Sequence, residues 1–375
     1  MRNRLKHMFI KEFLQMFRDP RMRVLIFGAP VLQMLVFGIA VTTDVTDIRT
    51  AVLDSDRSVA SRELIDKFTS SGYFKVVEYI DSDGEIENTL VRGHARVVLH
   101  VPHGFERKIL AGETAQLQVI ADGTDSNTTA IVMGYAGRIV GDYSREKLLD
   151  KISRLSVGFT PSTVDIETRA WFNPNMESRF FYIPGLIALI LVLFTMVLTS
   201  IAIVREKEIG TIEQIMVTPI SRTEFILGKT VPFAIVGYFT MTLMLVVGML
   251  VFGIRVQGSW LLLYGLTGIY LISNLGLGLT ISASASTQQQ ALLTAFFFLV
   301  PAILLSGFLI PVHNMPEIIQ YATYINPMRW YMDILRSVVI KGVGASDIRQ
   351  AIIGLSILAI GFTILASVRF RKTMS

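Results

Sequence analysis

The longest run of sequence without a charged residue extends from Val256 to Val312, and it constrains the fold more than any other feature. A helix needs about 20 mostly apolar residues to cross the hydrocarbon core of a bilayer, so this run is too long for one crossing. It is interrupted at Ser282–Gln290 by serine, threonine and glutamine residues, which are typical of a turn. We therefore predict two membrane spans here, near Trp260–Ile281 and Ala291–Leu309, joined by a tight hairpin.

Four further segments without charged residues have the length of a span, and they are Val24–Thr43, Tyr182–Val204, Thr230–Ile254 and Gln350–Val368. Of the 375 residues, 51% are hydrophobic and only 17% are charged. In soluble domains about a quarter of the residues are charged. The predicted fold class is a polytopic α-helical membrane protein, with six transmembrane helices and an α/β domain between helices one and two. The absence of cysteine excludes disulfides and thiolate metal sites.

The distribution of basic residues predicts the orientation, because lysine and arginine accumulate on the cytoplasmic side of spans. They are concentrated in residues 1–23, in the loop 205–229 and after the last span, which places both termini in the cytoplasm. The segment 306–349 then lies outside despite its basic residues, and its apolar content predicts re-entrant or amphipathic helices on the outer leaflet. Residues 1–23 predict an amphipathic helix on anionic lipid, ahead of an uncleaved span at 24–43; a cleaved signal peptide is the less favoured alternative.

Residues 44–179 predict a soluble domain on the outer side of the membrane. Segments rich in β-branched residues alternate with segments of helical spacing, one of them capped by Ser58, and this alternation favours a mixed or parallel sheet. His94, His100 and His103 raise the hypothesis of a metal site, but no carboxylate pattern accompanies them. We therefore expect packed or solvated histidines and no bound metal.

The loop 205–229 contains a short amphipathic stretch that ends before Pro219. Its apolar residues share one helical face, and acidic and amide residues occupy the other. Two interpretations fit equally well: a helix resting on the membrane surface, and a docking element for a cytosolic partner. Gly228-Lys229-Thr230 ends like a phosphate-binding loop, but position 223 is Thr where that motif needs Gly, so we predict no nucleotide site in this chain.

The predicted spans carry no charged residue, which disfavours an ion-relay pump and favours an apolar or amphipathic substrate. Polar side chains at four positions are candidates for lining a route through the membrane: Gln33, Asn274, Gln288 and Gln289. Hydrogen bonding between helices explains the same residues equally well. The net charge of +5 is modest and lies mostly beside the spans, so we expect no nucleic-acid partner.

Several segments together resemble the permease subunits of type-2 ABC exporters, in the drug- and ion-efflux branch that has a large extracytoplasmic domain. The resemblance covers essentially the whole chain. It is most specific at Glu206–Pro219, Leu304–Pro311 and Asn326–Tyr331, and in the predicted outer domain at Val52–Arg57 and Val101–Arg107.

The resemblance implies that the amphipathic loop is a coupling helix, received by a separate cytosolic ATPase that binds ATP and Mg. The chain itself would be non-catalytic, and residues 1–23 would form the connecting helix. Two permease subunits, identical or related, would pair in the bacterial inner membrane and export a drug-like or lipid-like substrate. Members of this branch often work with a periplasmic adaptor that leads to an outer-membrane duct. The implied coupling residues are Glu206, Glu208, Gly210, Thr211, Ile212, Glu213, Gln214 and Met216.

Two other classes of protein remain as alternatives. A membrane sensor with a ligand-binding outer domain would need a sizeable cytoplasmic output domain, and the longest inward segments predicted here are the N-terminal tail and the loop 205–229. A secondary transporter should show inverted halves with broken helices in matching places, and the sequence shows no such repeat.

Overall fold

The computed structural model describes residues 2–41, 47–124, 126–154, 171–173, 177–210 and 222–373. The chain divides into two compact units. The helical unit comprises Met1–Thr43 and Arg169–Ser375, and the sheet unit comprises Asp44–Thr168.

The helices, numbered along the chain, fall into two groups by unit. The helical unit contains α1 (Arg2–Arg18), α2 (Pro20–Arg23), α3 (Ala29–Val41), α8 (Ser178–Ile209), α9 (Arg222–Phe252), α10 (Trp260–Ser284), α11 (Gln288–Leu304), α12 (Glu317–Thr323), α13 (Pro327–Leu335) and α14 (Arg349–Thr373). The sheet unit contains α4 (Val59–Ser70), α5 (Gly84–Val91), α6 (Phe105–Ala111) and α7 (Ser126–Arg154). Two π-helical turns, Val24–Gly28 and Arg336–Lys341, precede α3 and follow α13.

The sheet unit is built on four strands, β1 (Ile48–Asp54), β2 (Phe74–Tyr79), β3 (Val97–Val101) and β4 (Gln118–Ala121). Their order is β2-β1-β3-β4. Strand β1 pairs in parallel with both of its neighbours, and β4 runs antiparallel to β3. Of the two predicted alternatives, a mixed or a parallel sheet, the structure shows the mixed one.

Helices cover both faces of this sheet. Successive side chains of a strand point to opposite sides, so each face has a core of its own. Val52 packs on one face in a core shared with Leu64 of α4 and Tyr143 of α7. Its neighbour Leu53 packs on the other face in a core shared with Leu90 of α5. The predicted helix cap at Ser58 is also present, since its side chain accepts a hydrogen bond from the backbone N–H of Ser61.

Asp56 fixes the start of α6 from the loop after β1. Its carboxylate accepts hydrogen bonds from the backbone N–H groups of Gly104, Phe105 and Glu106, at 2.7, 3.1 and 3.0 Å. Burial opposes ionisation, but the hydrogen bonds from this backbone and from the Ser58 side chain outweigh it and lower the pKa of Asp56 below its ordinary value of 3.8. The motifs at Val52–Arg57 and Val101–Arg107 are thus joined through one side chain.

Replacing Asp56 with alanine is expected to destabilise the start of α6 by about 2 kcal/mol, because three backbone donors lose an ionised acceptor. Hydrogen exchange at the Gly104–Glu106 amides should accelerate roughly thirtyfold at neutral pH. A carboxylate with a lowered pKa stabilises the fold above its unfolded pKa and loses that effect as the pH falls through the folded pKa. The difference between the proteins should therefore shrink in acid. The control is Asp81→Ala, which removes an exposed partner of Arg57. Equal exchange rates in the unmodified protein, Asp56→Ala and Asp81→Ala would contradict the role of Asp56 as a cap.

Within the described residues, four helices of the helical unit are long and apolar enough to cross a membrane. They are Ser178–Ile209, Glu224–Phe252, Trp260–Ser284 and Arg349–Arg369. Two shorter apolar helices, Val24–Ala40 and Gln288–Leu304, correspond to the predicted first and fifth spans. Helix α11 ends at Leu304, earlier than the predicted Leu309, because the chain turns through Gly307, whose φ of +82° does not continue a right-handed helix. The molecule is a mostly helical membrane protein with a small sheet.

Helix α13 is packed in the core of the helical unit, and it belongs to the segment predicted to form re-entrant or amphipathic helices; that prediction stays open. Met332 and Leu335 are fully buried in the main hydrophobic core. The Tyr331 ring stacks on that of Tyr270, with ring centroids 4.0 Å apart, and its hydroxyl lies 2.9 Å from the Thr267 Oγ1. Local periodicity could not distinguish an apolar face on lipid from one on neighbouring helices, and here protein covers it.

Two glycines allow α10 to approach its neighbours closely. A Cβ at Gly278 would lie 2.8 Å from the Met196 carbonyl oxygen of α8. A Cβ at Gly276 would lie 3.0 Å from the Phe362 carbonyl carbon of α14. Contacts this short to backbone atoms leave no room for a side chain, so both helix pairs depend on glycine at these positions.

Candidate functional site

A cluster of four charged side chains joins three helices of the helical unit, two of which precede and follow residues 211–221 in the sequence. It consists of Lys11 and Glu12 of α1, Glu206 of α8 and Lys229 of α9, and it is called the Lys229 cluster below. The Lys229 Nζ lies 2.7 Å from Glu12 Oε1 and 2.7 Å from Glu206 Oε1. The Lys11 Nζ lies 3.2 Å from the same Glu206 oxygen.

Three members of the cluster are almost completely buried. The exposed fractions of the side chains are 2% for Lys229, 4% for Glu12 and 8% for Glu206, against 52% for Lys11. Removing an ammonium or a carboxylate from water costs several kcal/mol unless opposite charges compensate it. Two lysines and two glutamates balance each other here, so each buried charge requires the others.

Apolar contacts hold α1 against the same two helices. Met8 packs on a small core that includes Ile203 of α8 and Phe225 of α9. Gly228 faces this contact, and a Cβ there would lie 2.3 Å from the Met8 sulfur. Helix α1 is therefore packed, as well as ion-paired, against the two helices that flank the loop.

Lys207 and Glu208, which follow Glu206 in α8, bind the hairpin between α10 and α11. The Lys207 Nζ donates to the carbonyl oxygens of Ser282, Ala283 and Ala285, each at 3.3 Å, where α10 ends. A cation is favoured at this position because the last carbonyls of a helix lack partners within it. The Glu208 carboxylate accepts from the backbone N–H of Gln288 at 2.9 Å and from its side-chain amide.

Helix α8 ends at Gly210, whose φ of +78° belongs to the left-handed region. Of the predicted coupling residues, the structure therefore places three: Glu206 in the Lys229 cluster, Glu208 on the α10–α11 hairpin, and Gly210 at the helix end. The others lie outside the described residues and stay predictions; they are Thr211, Ile212, Glu213, Gln214 and Met216.

The four predicted pathway residues lie on three different helices. Gln33 is partly buried in α3, and Asn274 is fully buried in α10. Gln288 and Gln289 begin α11, where Gln288 bonds to Glu208 and Gln289 is exposed. The structure thus gives Gln288 a contact between helices, and a route lined by these residues stays a prediction.

The three histidines that raise the hypothesis of a metal site are His94, His100 and His103. Their described contacts are with different residues. The His100 Nδ1 lies 3.2 Å from the Gln118 side-chain oxygen, and its Nε2 lies 3.4 Å from the Ser55 hydroxyl. His94 lies beside Glu78. Within the described part of the chain, no three histidine or acidic side chains are grouped in a way that could hold a metal ion.

Four residues of this site are not among the predicted coupling residues, and they are Lys11, Glu12, Lys207 and Lys229. In the sequence, Lys229 lies in a segment that only ends like a phosphate-binding loop, and among the basic residues that flank the spans. The sequence feature that could have indicated this site is Glu12, the only acidic residue within the basic helix Arg2–Arg18. A single carboxylate in such a helix indicates a specific cationic partner, but its place in the chain does not say which.

Comparison with known proteins gives the same family over most of the chain. A family model described as ABC-2 family transporter protein matches residues 20–368, which leaves α1 outside the match. The probable multidrug ABC transporter permease YbhR of Escherichia coli K12 is 36% identical over 339 residues, covering 90% of each chain. The corresponding permease YbhS of the same strain is 33% identical over 344 residues, covering 90% of this chain and 89% of YbhS.

A more distant relative is the inner membrane transport permease YhhJ of Escherichia coli K12. It is 27% identical over 327 residues, covering 86% of this chain and 85% of YhhJ. The family match and the two nearer permeases confirm the resemblance that the sequence motifs indicated. The chain therefore belongs to the ABC-2 family of transporter proteins, as a permease.

Proposed function

We propose that this chain is the transmembrane subunit of an ATP-driven exporter of apolar or amphipathic compounds, drug-like or lipid-like. A separate cytosolic ABC ATPase would bind ATP and Mg and hydrolyse the ATP, and the chain itself would be non-catalytic. ABC-2 permeases in general work with such a subunit, and two relatives are named as probable multidrug permeases. The observation that carries the proposal is the Lys229 cluster, which ties α1 to both helices flanking the loop 211–221.

The arrangement suggests how movement of the partner reaches the membrane helices. An ATPase that pushes on the loop moves the end of α8 and the start of α9 together, because Glu206 and Lys229 bind each other. Helix α1 moves with them through Glu12. Lys207 and Glu208 pass the same displacement to the α10–α11 hairpin, so the helices rock as a connected set.

The proposed topology has six spans, both termini in the cytoplasm, and residues 44–179 in the periplasm. The two shorter helices would complete the six, since the 17 residues of α11 extend about 25 Å and reach the lower limit for a span. The relative named as an inner membrane permease supports that location. A second permease subunit, identical or related, would complete the pathway, and a periplasmic adaptor leading to an outer-membrane duct would be met by residues 44–179.

Reversing the charge at Glu213 tests the proposed contact with the ATPase. Glu213→Arg is expected to reduce recovery of the ATPase with the purified permease roughly tenfold, because it places a cation in the predicted docking face. ATP-dependent export should fall with it. The matched control is Glu87→Arg, the same reversal at an exposed position of α5. Assembly and export at the level of the unmodified chain in Glu213→Arg would sink the proposal.

A further inference from the structure

Helix α1 has one side that the Lys229 cluster does not use. The side that carries Met8 and Glu12 packs on α8 and α9. On the other side, Ile10, Leu14 and Phe17 are 45%, 57% and 41% exposed. Residues spaced by three and four lie on the same face of a helix, so these three side chains form one exposed apolar stripe.

The stripe is continuous with exposed apolar side chains of the membrane helices. The ring centroid of Phe17 lies 6.0 Å from that of Phe27, which lies 5.0 Å from that of Phe239 in α9. All three rings are exposed, and α3, which follows Phe27 in the chain, exposes Leu32 and Val36. Helix α9 contains one of the candidate spans, and α3 belongs to one of the shorter apolar helices. The stripe therefore adjoins surface that lipid covers, which favours lipid over a soluble protein as its partner.

Positive charge is concentrated around this stripe. Residues 1–23 contain seven basic and two acidic residues, and their net charge of +5 equals that of the whole chain. By helical spacing, Lys6 lies on one flank of the stripe, and Lys11 and Arg18 lie on the other. All three of these basic side chains are exposed. An apolar stripe between basic flanks is typical of a helix that lies on acidic phospholipid.

The basic flanks can bind further anions. Within the described residues, the side chains of Lys6 and Arg18 make no ion pair or hydrogen bond. The Lys11 Nζ lies 3.2 Å from Glu206 Oε1, but the Lys11 side chain is 52% exposed. A lysine ammonium has three donors, so Lys11 can bind Glu206 and a phosphate group at the same time. A headgroup at this flank would therefore share Lys11 with the Lys229 cluster.

We propose that acidic phospholipids bind the exposed side of α1 and thereby stabilise the Lys229 cluster on its other side. Ile10, Leu14 and Phe17 would lie among the acyl chains, and the basic flanks would contact the phosphates. A ligand that binds only the folded arrangement stabilises it, so acidic lipid would hold α1 against α8 and α9. Lipid contact of residues 1–23 is expected from the sequence, and the action on the cluster is new. It requires neither ATP nor the ATPase, so its test is separate from that of the ATPase contact.

The absence of cysteine from the chain allows a direct test of the lipid contact. Leu14→Cys is labelled with an environment-sensitive dye on the full-length protein, in nanodiscs of phosphatidylcholine with rising fractions of phosphatidylglycerol. The dye emission should shift to the blue as phosphatidylglycerol rises, and inorganic phosphate should cause no shift. Adding Lys6→Gln and Arg18→Gln should raise the phosphatidylglycerol fraction at half-change at least threefold. Lys75→Gln with Arg92→Gln, which removes the same charge from exposed positions of the sheet unit, is the control and should change nothing.

Thermal unfolding in the same nanodiscs tests the action on the cluster. Phosphatidylglycerol should raise the melting temperature of the unmodified chain, and this gain should fall by at least half in Lys229→Met, which removes the ion pairs behind α1. An equal gain in both proteins would overturn the action on the cluster. An emission that does not depend on phosphatidylglycerol, a shift caused by inorganic phosphate, or equal shifts in the two charge variants would overturn the lipid site itself.

Discussion

Replacing Lys229 with methionine is expected to destabilise the helical unit by about 3–5 kcal/mol, the largest effect of any single change considered. Methionine fills most of the space but removes the ammonium group shared by Glu12 and Glu206. Two nearly buried carboxylates would then face each other without the ammonium group between them, and the largely exposed Lys11 would remain beside Glu206. The measurement is thermal unfolding of the full chain in detergent, where the Lys229→Met variant should melt well below the unmodified protein.

A second substitution separates the loss of charge balance from the loss of packing. Adding Glu12→Gln to Lys229→Met leaves one carboxylate and one lysine in the cluster, so part of the lost stability should return. Lys6→Met is the control, because Lys6 lies exposed on the same helix α1 and should change stability by less than about 1 kcal/mol. If Lys229→Met melted at the same temperature as Lys6→Met, the ion pairs would contribute nothing to stability. The proposed connection between the helices would then fail.

Replacing Gly278 with leucine is expected to destabilise the packing of α8 on α10 by about 3 kcal/mol, and to abolish the proposed export. The first added atom would already lie 2.8 Å from the Met196 carbonyl oxygen, and backbone cannot rotate aside as a side chain can. The two helices would have to separate along their contact, which leaves other side chains without neighbours.

The same helix provides a matched control for this substitution. Gly265 also lies in α10. Apart from its chain neighbours and the nearby backbone of its own helix, no heavy atom lies within 4 Å of a Cβ placed there. Gly265→Leu should therefore be neutral or slightly stabilising, since leucine favours a helix by up to about 1 kcal/mol over glycine. Equal melting temperatures for Gly278→Leu and Gly265→Leu would show that close approach of α8 and α10 is unimportant.

Local patterns in the sequence predicted most of the elements correctly. The cap at Ser58 and the mixed sheet follow from short-range rules, because a cap depends on neighbouring residues and a buried strand is rich in β-branched side chains. The two apolar helices that begin at Val24 and Gln288 are also predicted, and the second ends at Leu304, before the predicted Leu309. Their length depends on turns such as the one at Gly307, which apolar composition does not reveal.

Contacts between distant parts of the chain could not be predicted in the same way. Glu12 meets Lys229 because three helices converge, and nothing near either residue in the sequence specifies that convergence. For Gln288 the sequence leaves a membrane route and a hydrogen bond between helices equally open, and its bond to Glu208 is a contact that only the fold reveals. The segment that contains Tyr331 is predicted to be re-entrant or amphipathic, and the sequence does not specify that Tyr331 is fully buried against Tyr270.

The measurement that tests the central claim most directly is transport by the chain reconstituted in liposomes with its ATPase. A fluorescent amphipathic compound should accumulate in the vesicles only when ATP is hydrolysed, and Glu213→Arg should stop accumulation while the isolated ATPase keeps its activity. Accumulation driven by an ion gradient without ATP, or undiminished accumulation with Glu213→Arg, would contradict the account.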